Sequence, residues 1–273
     1  MDKPRIYAKE MDVIATAEQT LKSFEAGYRI LEKTDIRTSI GNIFVIEVTK
    51  AGNGLIAGPS SVLSMQKIIK ILSKYKLDKI LIDGAFFRHS LAKLSDATVV
   101  VIGANYNQDL YKTVEDAKQI ITKFHLKRPS FDIDFLDEID RICMFDETGV
   151  INIFDFDTTI GFAEKILEDA KEKYGFLYLP KSLTNEFVEL IVKNREYFEL
   201  NILVDSPVSI QLNFNNAKNL FKLKNKVYVK NPVNVVAVCY NPYSPVGYEF
   251  DDDAFRNELE KALGLQVFNV EKE

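Results

Sequence analysis

Asp83 closes the apolar run Lys79-Ile80-Leu81-Ile82 and is followed by Gly84. An α/β nucleotide hydrolase holds at such a strand end the acid that organises Mg²⁺. The competing role, a cap or an ion pair at a turn, is the commoner one for an Asp there. Arg88, His89 and Ser90 follow on what reads as a loop. Arg88 could grip a phosphate or carboxylate with its planar fork, or simply pair with Asp83 or Asp96. His89 is a general base by type, but no second His stands near it in sequence to complete a proton-transfer pair. Three further segments fall where apolar runs end. They are Ser182 with Thr184, Asp205 with Ser206, and the loop Asn241-Pro242-Tyr243-Ser244-Pro245. Ligands of open parallel sheets bind beyond strand carboxyl ends, where loops and helix N-termini gather. Thr184 reads first as a helix cap, and the two prolines around Tyr243 and Ser244 read as a stiff loop.

The motifs that would complete such chemistry are missing. No G-x-x-x-x-G-K-[ST] cradle for phosphates occurs, and Gly52, Gly54 and Gly58 are not in register for a dinucleotide fingerprint. Cys143 and Cys239 lack metal-ligand spacing, so neither zinc nor a disulfide framework is expected. Asp251-Asp252-Asp253 stands where a helix should begin, and acids there offset the helix dipole.

The elements that must position these residues follow from periodicity. Short β-like runs at 5–8 and 13–15 precede an expected helix over 18–31. A β-rich run over 41–48 leads into a hairpin-type turn at 51–54, and a helix with one apolar stripe covers 62–76. Continuous apolar strands are expected at 79–84 and 97–103. A helix capped near Thr113 and Asp116 should run to Arg128, where Pro129 stops it. From Phe176 onward strand and helix alternate: 176–180, 184–196, 201–205, 215–222, 233–239, 251–263 and 266–270. That alternation predicts an α/β fold, with a mostly parallel sheet flanked by helices in a three-layer, Rossmann or P-loop-like arrangement. A small β-hairpin decorates the N-terminal half. Residues 129–141 read as a connector, giving halves 1–130 and 131–273 that could still form one continuous domain.

Composition narrows the class. The 273 residues hold 35 Lys+Arg against 40 Asp+Glu, a net charge of −5, with 47% hydrophobic residues. This is a globular chain rather than a nucleic-acid coat, and no apolar run approaches the ~20 residues of a membrane span. The start, Met1-Asp2-Lys3-Pro4-Arg5, lacks the apolar core of a secretory signal. The cytoplasm is the expected compartment.

Several segments together carry a family resemblance. "KPRIYAKEMDVIATAEQTL", "RTSIGNIFVIEV", "LIAGPSS", "ILIDGAFFRHS", "VVVIGAN" and the tail "AVCYNPYSPVGYEFDDDAF…QVFNV" stand in this order from Lys3 to Val270. The chain thereby resembles the reactivase subunits encoded beside clostridial lysine 5,6-aminomutase. The resemblance implies an accessory subunit that helps exchange damaged adenosylcobalamin on a lysine or ornithine aminomutase, through protein–protein contacts. It implies two partners, the aminomutase and a MutS-like ATPase subunit, and ATP with Mg²⁺ as the only cofactor to consider, none being held firmly. Longer members carry a glycine-rich loop ahead of the "KPRIY" segment, which these 273 residues do not contain. Phe86-Phe87-Arg88-His89 also replaces a Leu-Asp-Arg-type sequence. Both departures point away from independent ATP hydrolysis, although Asp83, Gly84, Arg88 and Ser90 still match. Two other readings stay open: a hydrolase or transferase using Asp83, Arg88 and the Tyr243-Ser244 loop, and a module that senses a nucleotide or phosphate ligand. A homo-oligomer is compatible with each.

Overall fold

The computed structural model describes residues 5–59, 61–83, 94–170, 175–194, 200–222 and 227–272. It divides into two compact units, Met1–Leu94 and Ser95–Glu273. Residues 129–141, read from sequence as a connector, lie within the second unit.

The first unit is built on an antiparallel sheet. Strands β1 (Ile6–Ala8) and β2 (Val13–Ala17) lead into one helical turn, α1 (Glu18–Leu21). Then come β3 (Gly27–Thr38), β4 (Gly41–Lys50), β5 (Gly52–Gly54) and helix α2 (Val62–Leu72). The sheet order is β2-β4-β3, and β1 pairs with β5 in a separate ribbon. Ile43, Val45, Ile46 and Val48 of the central β4 are buried. Ile68 and Leu72 of α2 pack on Ile43, Val45, Ile36 and Ala17. Ser61 caps α2, accepting from Ser64 N at 3.1 Å.

Three sequence expectations are corrected here. The helix expected over 18–31 stops at Leu21, because Gly27 onward pairs with the buried strand β4 and sheet pairing overrides local helical spacing. Gly52-Asn53-Gly54 is a strand rather than a hairpin turn; the hairpin is β3–β4, whose Thr38 hydroxyl donates to Gly41 O at 2.7 Å. Lys79–Asp83 is no strand, and Leu81 is 91% exposed.

The second unit carries two larger sheets. Strand β6 (Thr98–Gly103) and helix α3 (Leu110–Phe124) precede the hairpin β7 (Cys143–Asp146) and β8 (Gly149–Ile153). Helix α4 (Ala163–Ala170), β9 (Phe176–Leu179), β10 (Leu183–Thr184), α5 (Asn185–Lys193) and β11 (Asn201–Val204) follow. The chain continues through β12 (Ile210–Gln211), α6 (Phe214–Lys222), β13 (Val227–Val229), β14 (Val235–Asn241), α7 (Asp252–Leu263) and β15 (Phe268–Asn269). Asp109 caps α3, accepting from Tyr111 N and Lys112 N at 2.9 and 3.2 Å. The helix therefore starts earlier than the Thr113–Asp116 cap expected, and it ends at Phe124 rather than Arg128. Asp251 caps α7, and Gly264 closes it at φ 69°, a left-handed position suited to glycine.

The chain is α/β, but the mostly parallel Rossmann-like layer expected from the alternation is not what forms. One sheet is mixed, in the order β13-β11-β9-β7-β8: β8, β9, β11 and β13 run in one direction, and β7, between β8 and β9, runs antiparallel to both. The turn Asp146–Gly149 causes this. Asp146 Oδ1 accepts from both the amide and the hydroxyl of Thr148, and Gly149 sits at φ 131°, so the chain folds straight back on itself. A separate sheet, β15-β14-β6, is parallel throughout. A two-stranded parallel ribbon joins β10 and β12. No described helix is long and apolar enough to cross a membrane.

Candidate functional site

The carboxyl ends of β9, β11 and β13 lie along one edge of the mixed sheet, because these strands are parallel neighbours in register. Antiparallel β7 begins at the same edge, where Cys143 stands opposite Tyr178, and β8 ends there, with Ile153 opposite Cys143. The chain is thus obliged to bring Asp137, Arg141, Asp155, Asp157, Lys181, Asp205 and Lys230 to one rim.

Their polar groups engage one another. The Asp205 carbonyl accepts from Asn231 N at 2.8 Å, and its carboxylate accepts from Asn231 Nδ2 at 3.0 Å. Lys181 forms an ion pair with Asp157, and its donated hydrogen bond holds that carboxyl below its ordinary range. The mostly buried Lys230 places Nζ 2.8 Å from Asp137 and 2.9 Å from Leu136 O, and over the Tyr178 ring. This hydrogen bond lowers the Asp137 carboxyl. Arg141 lies 3.6 Å from Asp155. Beneath the rim, burial pushes the Cys143 thiol up to about 12, a state in which it is no nucleophile. Burial raises the Tyr178 phenol as well.

The sequence candidates divide between places. Ser182, Thr184, Asp205 and Ser206 do reach the rim of the mixed sheet. Thr184 does not cap α5 with its side chain; its hydroxyl instead lies 3.2 Å from that of buried Thr159. Ser206 is buried, with its hydroxyl 3.5 Å from that of Ser209. Asn241, Tyr243 and Ser244 belong to the other sheet, at the end of β14. There Asn241 Oδ1 accepts from Tyr243 N at 2.9 Å, Tyr243 bridges to Glu249, and Ser244 N donates to Tyr248 O at 2.9 Å. Phe250 N closes the loop on Pro242 O at 2.9 Å. The stiffness read from two prolines comes largely from these backbone bonds. Asp83 is exposed and outside any strand, so the strand-end position argued for a Mg²⁺ acid does not form. Gly84, Arg88, His89 and Ser90 lie outside the described residues.

Sequence reasoning missed Lys230 and Asp137, and the network around Asp252. The run Val227-Tyr-Val229 before Lys230-Asn231 was the available signal for a further strand end. Asp252 accepts from Tyr240 Oη at 2.9 Å, from Asn269 Nδ2 at 2.6 Å and from Lys272 Nζ at 2.6 Å, which locks α7 to β14 and β15. An open depression of about 690 Å³ runs beside α3, lined among others by Asp109, Lys112, Asp116 and Phe214. Among the described residues no group of three or more His, Cys, Asp or Glu converges to hold a metal ion.

Neither a protein-family model, nor a curated protein, nor a solved structure matches this chain.

Proposed function

We propose that the chain is an accessory subunit that works through protein–protein contacts, assisting cofactor exchange on an adenosylcobalamin-dependent aminomutase of lysine or ornithine, alongside a MutS-like ATPase subunit. The observation that carries the contact role is the outer face of the sheet β15-β14-β6. Val99 and Val101 are each 55% exposed there, with Phe268 at 50%. A contiguous apolar face on a parallel sheet is costly to leave in water and marks an interaction surface. The charged groups of the mixed-sheet rim, by contrast, are engaged with neighbours from their own unit. The aminomutase as partner rests on the chain-long resemblance of the sequence to the reactivase subunits.

The test is direct. Purified chain is mixed with the purified aminomutase, with and without Mg·ATP, and co-elution is followed by size exclusion with light scattering. A complex under at least one nucleotide condition is expected. Separate elution under all of them, with or without the ATPase subunit, would sink the proposal.

A further inference from the structure

Along a strand, side chains point alternately to the two faces of the sheet. In β6 and β14, Val100, Ile102, Val238 and Tyr240 point inward and pack on Val114, Ala117 and Ile121 of α3 and Phe255 and Leu259 of α7. The pairing register then puts the alternate residues together on the outer face: Val99 beside Ala237, and Val101 beside Cys239, which is also beside Phe268. Val236, 58% exposed, is the extra residue of a bulge between Val235 and Ala237.

These outer-face residues are uncharged, while carboxylates stand at either end of the face. Exposed Asp96 lies just before β6 and exposed Glu271 just after β15. The neighbouring cation, Lys272, is already 2.6 Å from Asp252. A parallel sheet is completed by a layer of helices on each side, and among the described residues α3 and α7 supply the layer on the inner side. The backbone hydrogen bonds of β14 are spent on β6 and β15, so an occupant of this face meets side chains rather than a free strand edge.

We infer that this face docks an amphipathic helix of a partner protein, apolar along one side and carrying Lys or Arg at its flanks. The inference rests on the contact reading above and names the surface and the kind of partner. Basic flanks complement Asp96 and Glu271, an arrangement that fixes orientation and speeds encounter more than it adds affinity. A second copy of this chain fits less well, since face-to-face packing brings the same carboxylates, on a chain of net charge −5, toward each other.

The experiment uses the full chain and two synthetic fluorescent helical peptides, one of Leu and Lys and one of Leu and Glu, followed by fluorescence anisotropy. The Leu/Lys peptide binds and the Leu/Glu peptide binds at least about tenfold more weakly. Val101→Glu, checked for its fold by circular dichroism, weakens the Leu/Lys peptide by about tenfold or more. The double variant Asp96→Lys, Glu271→Lys, which leaves the apolar face intact, reverses the preference between the peptides. No binding of the Leu/Lys peptide, or equal binding by the Val101→Glu chain, overturns the inference. So does light scattering that shows a wild-type dimer dissociated by Val101→Glu, which would make a second copy the occupant. Peptide binding without aminomutase binding would sink the reactivase reading and spare this surface; aminomutase binding untouched by Val101→Glu would do the reverse.

Discussion

The Tyr240 hydroxyl donates to Asp252 Oδ1 across 2.9 Å, joining a fully buried ring on β14 to the first turn of α7. The same carboxylate takes hydrogen bonds from Asn269 and Lys272, so one acid ties three elements at the C-terminal end of the second unit.

Tyr240→Phe keeps the ring packed on Phe255 and deletes only the hydroxyl, at a cost of about 1 kcal/mol. The pH dependence follows from Asp252. The hydrogen bond from Lys272, and after it those from Tyr240 and Asn269, hold its carboxyl below the ordinary value. The folded state thus binds the proton less readily than the unfolded one. The contribution is full above the ordinary carboxylate pKa and is lost as pH falls through the depressed one. Urea unfolding of wild type and Asp252→Asn between neutral and acid pH checks this. The stability difference between them is expected to shrink on acidification, and a constant difference would contradict it.

Lys123, on the last turn of α3, is a different case. Burial lowers its ammonium pKa. The charged form is penalised in the folded state, most fully below the depressed pKa, and the penalty fades as pH rises toward the ordinary Lys value. Lys123→Met, which keeps the stem and removes the charge, is expected to raise the melting temperature at neutral pH. Its advantage should narrow in alkali. A lower melting temperature at neutral pH would show the ammonium to be stabilising.

The two thiols should separate by reactivity. Cys143 is fully buried, with its pKa at about 12, whereas Cys239 is partly exposed on the outer sheet face. At neutral pH, Ellman's reagent is expected to modify Cys239 in the native protein and Cys143 only after unfolding. Two equivalents reacting together without denaturant would contradict the burial of β7.

How much of this was readable beforehand depends on where each signal lies. Strands β9, β11 and β14 and helices α5, α6 and α7 were legible because each is a compact apolar or amphipathic run bounded by polar residues, as Asp205 after Val204 and Asp251 before α7 illustrate, whereas the short strands β10, β12 and β13 were not read. The antiparallel hairpin β7–β8 was not read, although Asp146-Glu147-Thr148-Gly149 is turn chemistry in plain sight. Without it, a run of parallel strands looked like one continuous layer. Lys79–Asp83 misled in the other direction, since an apolar run alone does not say what it will pair with. Of the site, the strand-end positions of Thr184 and Asp205 were legible. Their partners were not: Thr159 lies 25 residues from Thr184, and Asn231 lies 26 from Asp205. Only the sheet register brings such partners together.

Cys239 also offers the most direct test of the central claim, because it stands between Val101 and Phe268 on the outer face. Its rate of alkylation would be measured by mass spectrometry with the chain alone and with a saturating excess of the aminomutase. Docking on this face predicts a fall in the Cys239 rate of about tenfold or more, with Cys143 inert in both samples. An unchanged Cys239 rate in the presence of the aminomutase would contradict the account.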